Sequence, residues 1–143
     1  SPCLMQESCP ALVNPRDWCH EDRSWDPPQL IKDIDELIGL RKDALKFSYL
    51  VVRRDGRLLA DSFETAVFRV VSEPLVTRGK RELFLCGRGG RRLVVRLNKD
   101  AAPGNALFDE LLRGDIVRFE GLEDEGKRLR VTKDTVVIAG IKS

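Results

Sequence analysis

Glu82-Leu83-Phe84-Leu85-Cys86-Gly87-Arg88-Gly89-Gly90-Arg91-Arg92-Leu93-Val94-Val95-Arg96-Leu97 holds two β-rich runs around a glycine turn, and its reading decides the fold of the second half of the chain. Runs of branched and aromatic side chains bounded by glycine favour a half-buried pleated strand. The Gly89-Gly90 pair supplies the backbone freedom that a tight hairpin needs. We therefore expect strands over 82–87 and 91–97, with Leu93, Val95 and Leu97 on one face and Arg92, Val94 and Arg96 on the other. Gly87, Gly89 and Gly90 loosely imitate a nucleotide-binding fingerprint. They link two strands rather than a strand and a helix, which makes them a turn.

Working outward, an Arg78-Gly79 turn connects an expected strand over 67–76 to the hairpin. A short helix is expected over 105–112, then strands over 115–120 and 129–138 joined by the turn Asp124-Glu125-Gly126. The order β-β-β-α-β-β describes an OB-fold-like five-stranded barrel, mainly β with minor α, over residues 66–143. Arg113-Gly114-Asp115-Ile116-Val117 resembles the glycine-aspartate lead into the fourth strand of such barrels. This fold commonly binds oligonucleotides across its second and third strands and the flanking loops.

Charge points the same way. Residues 1–65 carry nine Lys or Arg against twelve Asp or Glu, whereas residues 66–143 carry sixteen against eleven. Arg78, Lys80, Arg81, Arg88, Arg91, Arg92, Arg96 and Lys99 form a basic block interrupted only by Glu82. One sign of charge laid along strands and turns suits a phosphate backbone, since each neutralised phosphate releases counterions. The alternative is a solvated face that keeps the domain soluble. Arg53, Arg54 and Arg57 form a second basic cluster. Exposed aromatics for base stacking are scarce, because Phe68, Phe84, Phe108 and Phe119 occupy positions suited to the core. Contacts to the backbone and shape of structured RNA are therefore expected rather than base-by-base reading.

Upstream of the barrel, Leu30, Ile31, Ile34, Leu37 and Ile38 recur at spacings of three and four. They predict one amphipathic helix ending near residues 39–42, with Asp26 as candidate N-cap and the prolines Pro27 and Pro28 in its first turn. Packing of this stripe on the domain itself is the commoner arrangement, and partner docking the other. Asp33, Asp35 and Glu36 are assigned to the wet side. A β-rich run over 47–52 and the Asp55-Gly56 turn predict a hairpin returning through Leu58 and Leu59.

Residues 1–20 have no long apolar run, yet Cys3, Cys9 and Cys19 punctuate them at the spacing C-x5-C-x9-C-H, and the remaining cysteine is Cys86. Four thiolates suit a structural zinc, with His20 as an alternative ligand, or an iron–sulfur cluster. Either would staple a cysteine-rich extension, residues 1–65, onto the barrel. The competing readings are a small buried hydrophobe at Cys86 and a disulfide framework, which the length of the chain and the lack of a visible secretory signal disfavour.

Cys9-Pro10, Asp17-Trp18-Cys19-His20, Lys46-Phe47-Ser48-Tyr49-Leu50-Val51 and the lone Cys86 together resemble the C-terminal region of the Rsm-type small-ribosomal-subunit methyltransferase-like proteins. In place of the Pro-His that usually follows the first cysteine of that family, Leu4-Met5 follows Cys3. The resemblance implies a 4Fe-4S cluster on Cys3, Cys9, Cys19 and Cys86. It also implies an upstream S-adenosylmethionine-dependent methyltransferase domain, and ribosomal RNA or the small ribosomal subunit as partner. The compartment implied is the cytoplasm in a bacterium or the mitochondrial matrix in a eukaryote.

Catalysis is poorly supported within these 143 residues. His20 is the single histidine, and no serine or cysteine has a His and Asp partner set. No P-loop or dinucleotide fingerprint occurs. No apolar run approaches the roughly 18 residues of a membrane span.

Overall fold

The computed structural model describes residues 9, 13, 14, 21–40, 42–47, 54–57, 59–63 and 66–140. The first elements are strand β1 (Glu21–Ser24), helix α1 (Gln29–Ile38) and strand β2 (Ala44–Phe47). β1 and β2 pair antiparallel, Glu21 opposite Phe47 and Ser24 opposite Ala44, with the helix as their connection. Helix α1 starts after Pro28 and stops at Gly39, whose φ of 68° is left-handed. A glycine takes that conformation without a Cβ penalty, and its N–H closes the helix on the Glu36 carbonyl at 3.3 Å.

Two expectations for this region change. Asp35 is buried rather than wet, because its carboxylate accepts the backbone N–H of Lys42 at 3.1 Å and ties the chain to the helix beyond its end. Leu59, expected in a returning strand, opens a 3-10 turn over Leu59–Ser62, and Asp55 accepts the Arg57 N–H at 3.2 Å in a local side-chain turn, while Leu58 lies outside the described residues. Residues 48–52 of the expected first hairpin strand lie outside the described residues. The apolar stripe of α1 is exposed, with Leu30 and Leu37 at 69% and 84%.

From residue 66 the protein is mainly β. The strands are β3 (Phe68–Val70), β4 (Leu75–Thr77), β5 (Lys80–Gly87), β6 (Gly90–Leu97), β7 (Ile116–Glu120), β8 (Glu123–Asp124), β9 (Arg128–Val131) and β10 (Val136–Ala139). They form one sheet in the order β10-β7-β3-β5-β6-β9-β8, with β4 added to β5. All pairings are antiparallel except β6–β9. The sheet curls, because β9 and β10 belong to one stretch of chain yet pair with strands far apart in the order.

The strand expected over 67–76 is two strands. Pro74 lacks the N–H a continuous ladder requires, and at the break the Ser72 hydroxyl accepts the Phe84 N–H at 2.9 Å. The strand expected over 129–138 is likewise split. Its turn is closed by Thr135, whose hydroxyl accepts the Thr132 N–H at 2.9 Å and donates to the Gly121 carbonyl at 3.0 Å. In place of the helix over 105–112 stands a 3-10 segment, Pro103–Asp109, which Pro103 opens and Asn105 kinks with φ −116° and ψ 15°.

Val70, Leu83, Leu85, Val94, Phe108, Leu111, Val117, Leu129, Val131 and Val137 form the core inside the curl. Phe108, fully buried, packs edge-on to Phe119 at 6.3 Å, and Phe119 to Phe68 at 6.0 Å. Gly87 faces the same interior. A Cβ there would meet Phe68 Cδ1 at 2.8 Å, so the glycine admits the ring.

Candidate nucleic-acid interface and metal centre

The alternation of β5 and β6 sorts the basic block. Leu83 and Leu85 are buried on β5, and their partners across the pair are Val94 and Arg92, while Arg81 lies opposite Arg96. Arg92, Val94 and Arg96 therefore do share a face, and it is the inner one. Arg96 is 4% exposed. Its Nη2 donates to both carboxylate oxygens of Asp109 at 2.6 and 2.7 Å, its Nη1 to the carbonyl and side-chain oxygens of Asn105 at 3.2 and 3.3 Å, and its guanidinium stacks 5.4 Å from the Phe108 ring. Every one of these contacts is internal. Arg96, expected to face RNA, instead closes one end of the core, because its long stem covers apolar surface and its head finds a carboxylate at the rim.

Arg81 and Arg92 are half-buried on the same side. Arg81 donates to the Asp109 carbonyl at 2.5 Å. Arg92 donates to Asp124 at 2.7 Å and to the Gly126 carbonyl at 2.9 Å, tying β6 to the β8–β9 turn. That hydrogen bond, with the Gly126 N–H on the same carboxylate, holds Asp124 below the usual aspartate range. Lys80 pairs with Glu82 at 2.9 Å. On the β8–β9 turn, Arg128 holds Glu125 below its usual range, and Arg130, raised by Asp100 at 3.0 Å, adds to the network.

The rest of the predicted cations are exposed. Arg78 lies in the β4–β5 turn, Lys99 in the 3-10 turn Asn98–Asp100, Arg88 in the β5–β6 turn, and Arg91 on the outer face with its guanidinium 5.5 Å from the Phe84 ring. Phe84, expected in the core, points outward and is half-buried. Arg54 and Arg57 are exposed, the latter 3.6 Å from Asp55, and Arg53 lies outside the described residues. A hairpin whose strands each run eight residues separates its two ends by roughly 25 Å. The contiguous block of the sequence is thus divided between two ends of the sheet.

One residue that the sequence reading took only for the start of a helix organises one of those ends. Asn105 is fully buried. Its amide Nδ2 donates to the carbonyls of Asp100 and Thr132 at 3.0 and 2.8 Å, and its Oδ1 accepts from the Ala102 N–H at 3.0 Å as well as from Arg96. The signal available in the sequence was the Pro103-Gly104-Asn105 run, which favours a turn over a helix interior.

Of the predicted metal ligands, Cys9 and Cys86 are described and both are half-buried, while Cys3, Cys19 and His20 lie outside the described residues. Among the described residues no group of three or more His, Cys, Asp or Glu side chains is placed to hold a metal ion. Cys86 projects from the outer face of β5, opposite Arg69 of β3 on one side and Arg91 of β6 on the other. Arg69 and Val95 are buried although they face away from the core, so this side of the sheet is shielded from water there as well. A four-thiolate site carries net negative charge, whether it holds zinc or iron and sulfide. Two guanidinium groups in register with Cys86 suit that donor set electrostatically.

No helix among the described residues is long and apolar enough to cross a membrane. Protein-family models, curated sequences and solved structures were compared with the chain, and none matches.

Proposed function

We propose that residues 66–143 form an OB-type barrel that binds structured RNA through its phosphates. In this reading the chain is the C-terminal module of an Rsm-type methyltransferase-like protein acting in modification or assembly of the small ribosomal subunit. The observation that carries the proposal is the pairing pattern. An antiparallel β3/β4–β5–β6 meander, a parallel β6–β9 pairing and a return through β10–β7–β3 are the connections of that barrel. Exposed cations at its ends supply the affinity for RNA. Cys3, Cys9, Cys19 and Cys86 hold a structural 4Fe-4S cluster or a zinc ion, Cys86 being the ligand from the barrel. When bound, that group would cross-link the extension to the sheet and add its binding energy to folding. Methyl transfer from S-adenosylmethionine belongs to an upstream domain, and this chain contributes placement on RNA.

The test is the metal and sulfide content of protein purified without oxygen, together with RNA binding across a salt series. Iron with acid-labile sulfide, or zinc, lost in Cys9→Ser and in Cys19→Ser with a lower melting temperature, supports the metal site. Unchanged metal content and melting temperature in both variants overturn it. Affinity for an RNA stem–loop that falls steeply with salt supports the RNA reading, and binding that ignores salt overturns it.

The exposed stripe Leu30, Ile34, Leu37 and Ile38 favours one second reading, a zinc-stabilised protein-interaction domain that does not bind RNA. A partner captured independently of salt and lost on Leu37→Asp would establish that alternative.

A further inference from the structure

Three segments distant in sequence converge at one end of the curled sheet. The Asn98 N–H donates to the Gly79 carbonyl at 2.9 Å, which sets the Arg78-Gly79 turn against the Asn98–Asp100 turn. The buried Asn105 amide then bonds the carbonyls of both Asp100 and Thr132, placing the β9–β10 turn beside the same two. Parallel pairing of β6 with β9, Arg96 opposite Val131, carries both strands out at this end, one into Lys99 and the other into Lys133. Arg78, Lys99 and Lys133 are exposed, and none of them has a carboxylate partner among the described residues.

The acidic side chains nearby do not cancel this charge. Asp100 is buried on Arg130 at 3.0 Å, and Glu82 is engaged by Lys80. Asp134 is the one exposed carboxylate on the three segments. Elsewhere on the sheet, Arg92, Arg96, Arg128 and Arg130 are tied to Asp124, Asp109, Glu125 and Asp100. A cation already paired with a carboxylate gives up that pair when it meets a phosphate, whereas an unpaired one gains the whole contact.

We infer that the phosphate-binding surface of this protein is the end formed by Arg78, Lys99 and Lys133, rather than the strand face of β5 and β6. Lys133 lies outside the basic block of the sequence and joins the surface through the turn that splits β9 from β10. The three cations stand on backbone that Asn105 and the Gly79 carbonyl fix in place, so they present a preformed patch to an RNA backbone. The inference rests on the RNA-binding reading and narrows it to one end of the sheet.

The experiment compares the full chain with two variants on a labelled RNA stem–loop, from low to moderate salt. Arg78→Gln/Lys99→Gln/Lys133→Gln removes the proposed surface, and Arg88→Gln/Lys127→Gln removes exposed cations at the opposite end. Circular dichroism and melting temperature establish that both variants fold. The triple variant is expected to bind about ten- to a hundredfold more weakly at low salt, and its log-log salt slope to shrink by about 2–3, close to one unit per lost contact. The opposite-end variant should stay within about twofold of the unaltered protein. Equal losses in the two variants, or a larger loss in the opposite-end one, overturn the placement while leaving RNA binding standing. An unaltered protein that shows no salt-dependent affinity overturns the RNA reading itself.

Discussion

Arg96 and Asp109 form a two-pronged ion pair, 2.6 and 2.7 Å, between a side chain that is almost wholly enclosed and one that is half in water. The asymmetry decides what each residue is worth. Loss of Asp109 strands a guanidinium inside the protein, whereas loss of Arg96 leaves a carboxylate that water can reach.

Asp109→Ala should therefore destabilise the fold more than Arg96→Met does. Breaking a fully buried pair costs about 3–5 kcal/mol, and partial exposure of Asp109 lowers the expectation for Asp109→Ala to about 2–3 kcal/mol. Arg96→Met keeps the apolar stem over Phe108 and leaves only the Asp109 carboxylate, which water can reach, so its cost should be smaller. Urea unfolding of the two variants checks the order. A larger loss for Arg96→Met would mean that the hydrogen bonds to Asn105 outweigh the ion pair.

Asn105→Ala takes the side-chain partner from the Asp100 carbonyl and the Ala102 N–H, and leaves the Thr132 carbonyl with the Thr135 N–H alone. With each of the two orphaned groups worth about 1–3 kcal/mol, a loss of at least about 2 kcal/mol is expected. Faster hydrogen exchange should be confined first to the turns at 98–102 and 132–135. A variant as stable as the parent, with unchanged exchange in both turns, would remove Asn105 from its organising role.

Gly87→Ala should cost about 1–3 kcal/mol, since the added methyl lies 2.8 Å from Phe68 Cδ1 and forces that ring away from Phe119. The double substitution Gly87→Ala/Phe68→Leu makes room and should recover part of the loss. Thermal melts of the single and double variants test this coupling. Additive losses would show that the ring had space to move.

Acid should weaken the β8–β9 turn. The bonds from Arg92 and Arg128 depress Asp124 and Glu125 below their ordinary values of 3.8 and 4.5 in the folded protein. A carboxylate depressed on folding contributes stability that is present above its unfolded pKa and lost as pH falls through its folded one. The melting temperature should thus be insensitive to these two groups near neutrality and fall once the pH drops below about 4. Both groups are solvent-exposed, so the effect should shrink in high salt. In Asp124→Asn/Glu125→Gln the acid slope should flatten, and an unchanged slope would assign acid sensitivity to other carboxylates.

Local chemistry determined much of this protein. The three-and-four spacing of Leu30 to Ile38 marks helix α1, although the helix starts at Gln29 after Pro28 and not after Asp26 as N-cap, and the glycine at 39 ends it where left-handed backbone is needed. Branched residues bounded by Gly87, Gly89 and Gly90 place β5, β6 and their turn. Such signals are carried by neighbours in the chain, so they survive without any knowledge of the fold. Period-two alternation also says which residues of β6 share a face.

It does not say which face turns inward. Leu93, Val95 and Leu97 look like the core side of β6, yet Val94 lies against Leu83 inside the curl and Arg92 and Arg96 flank it. An arginine can sit on an inner face wherever a carboxylate meets it at the rim, and Asp109 and Asp124 arrive there only when distant segments close over the sheet. The charged run of β1 becomes a strand through pairing with β2, and Asp35 is buried by the N–H of Lys42, neither of which leaves a local signature. Pro74 gives the first strand break a local cause, whereas the second rests on Thr135 bonding the Gly121 carbonyl that a distant segment brings to it. Lys133 joins Arg78 and Lys99 for the same reason. Tertiary structure alone decided which charges were consumed inside the protein and which were left exposed, because an ion pair forms between whatever the fold brings together.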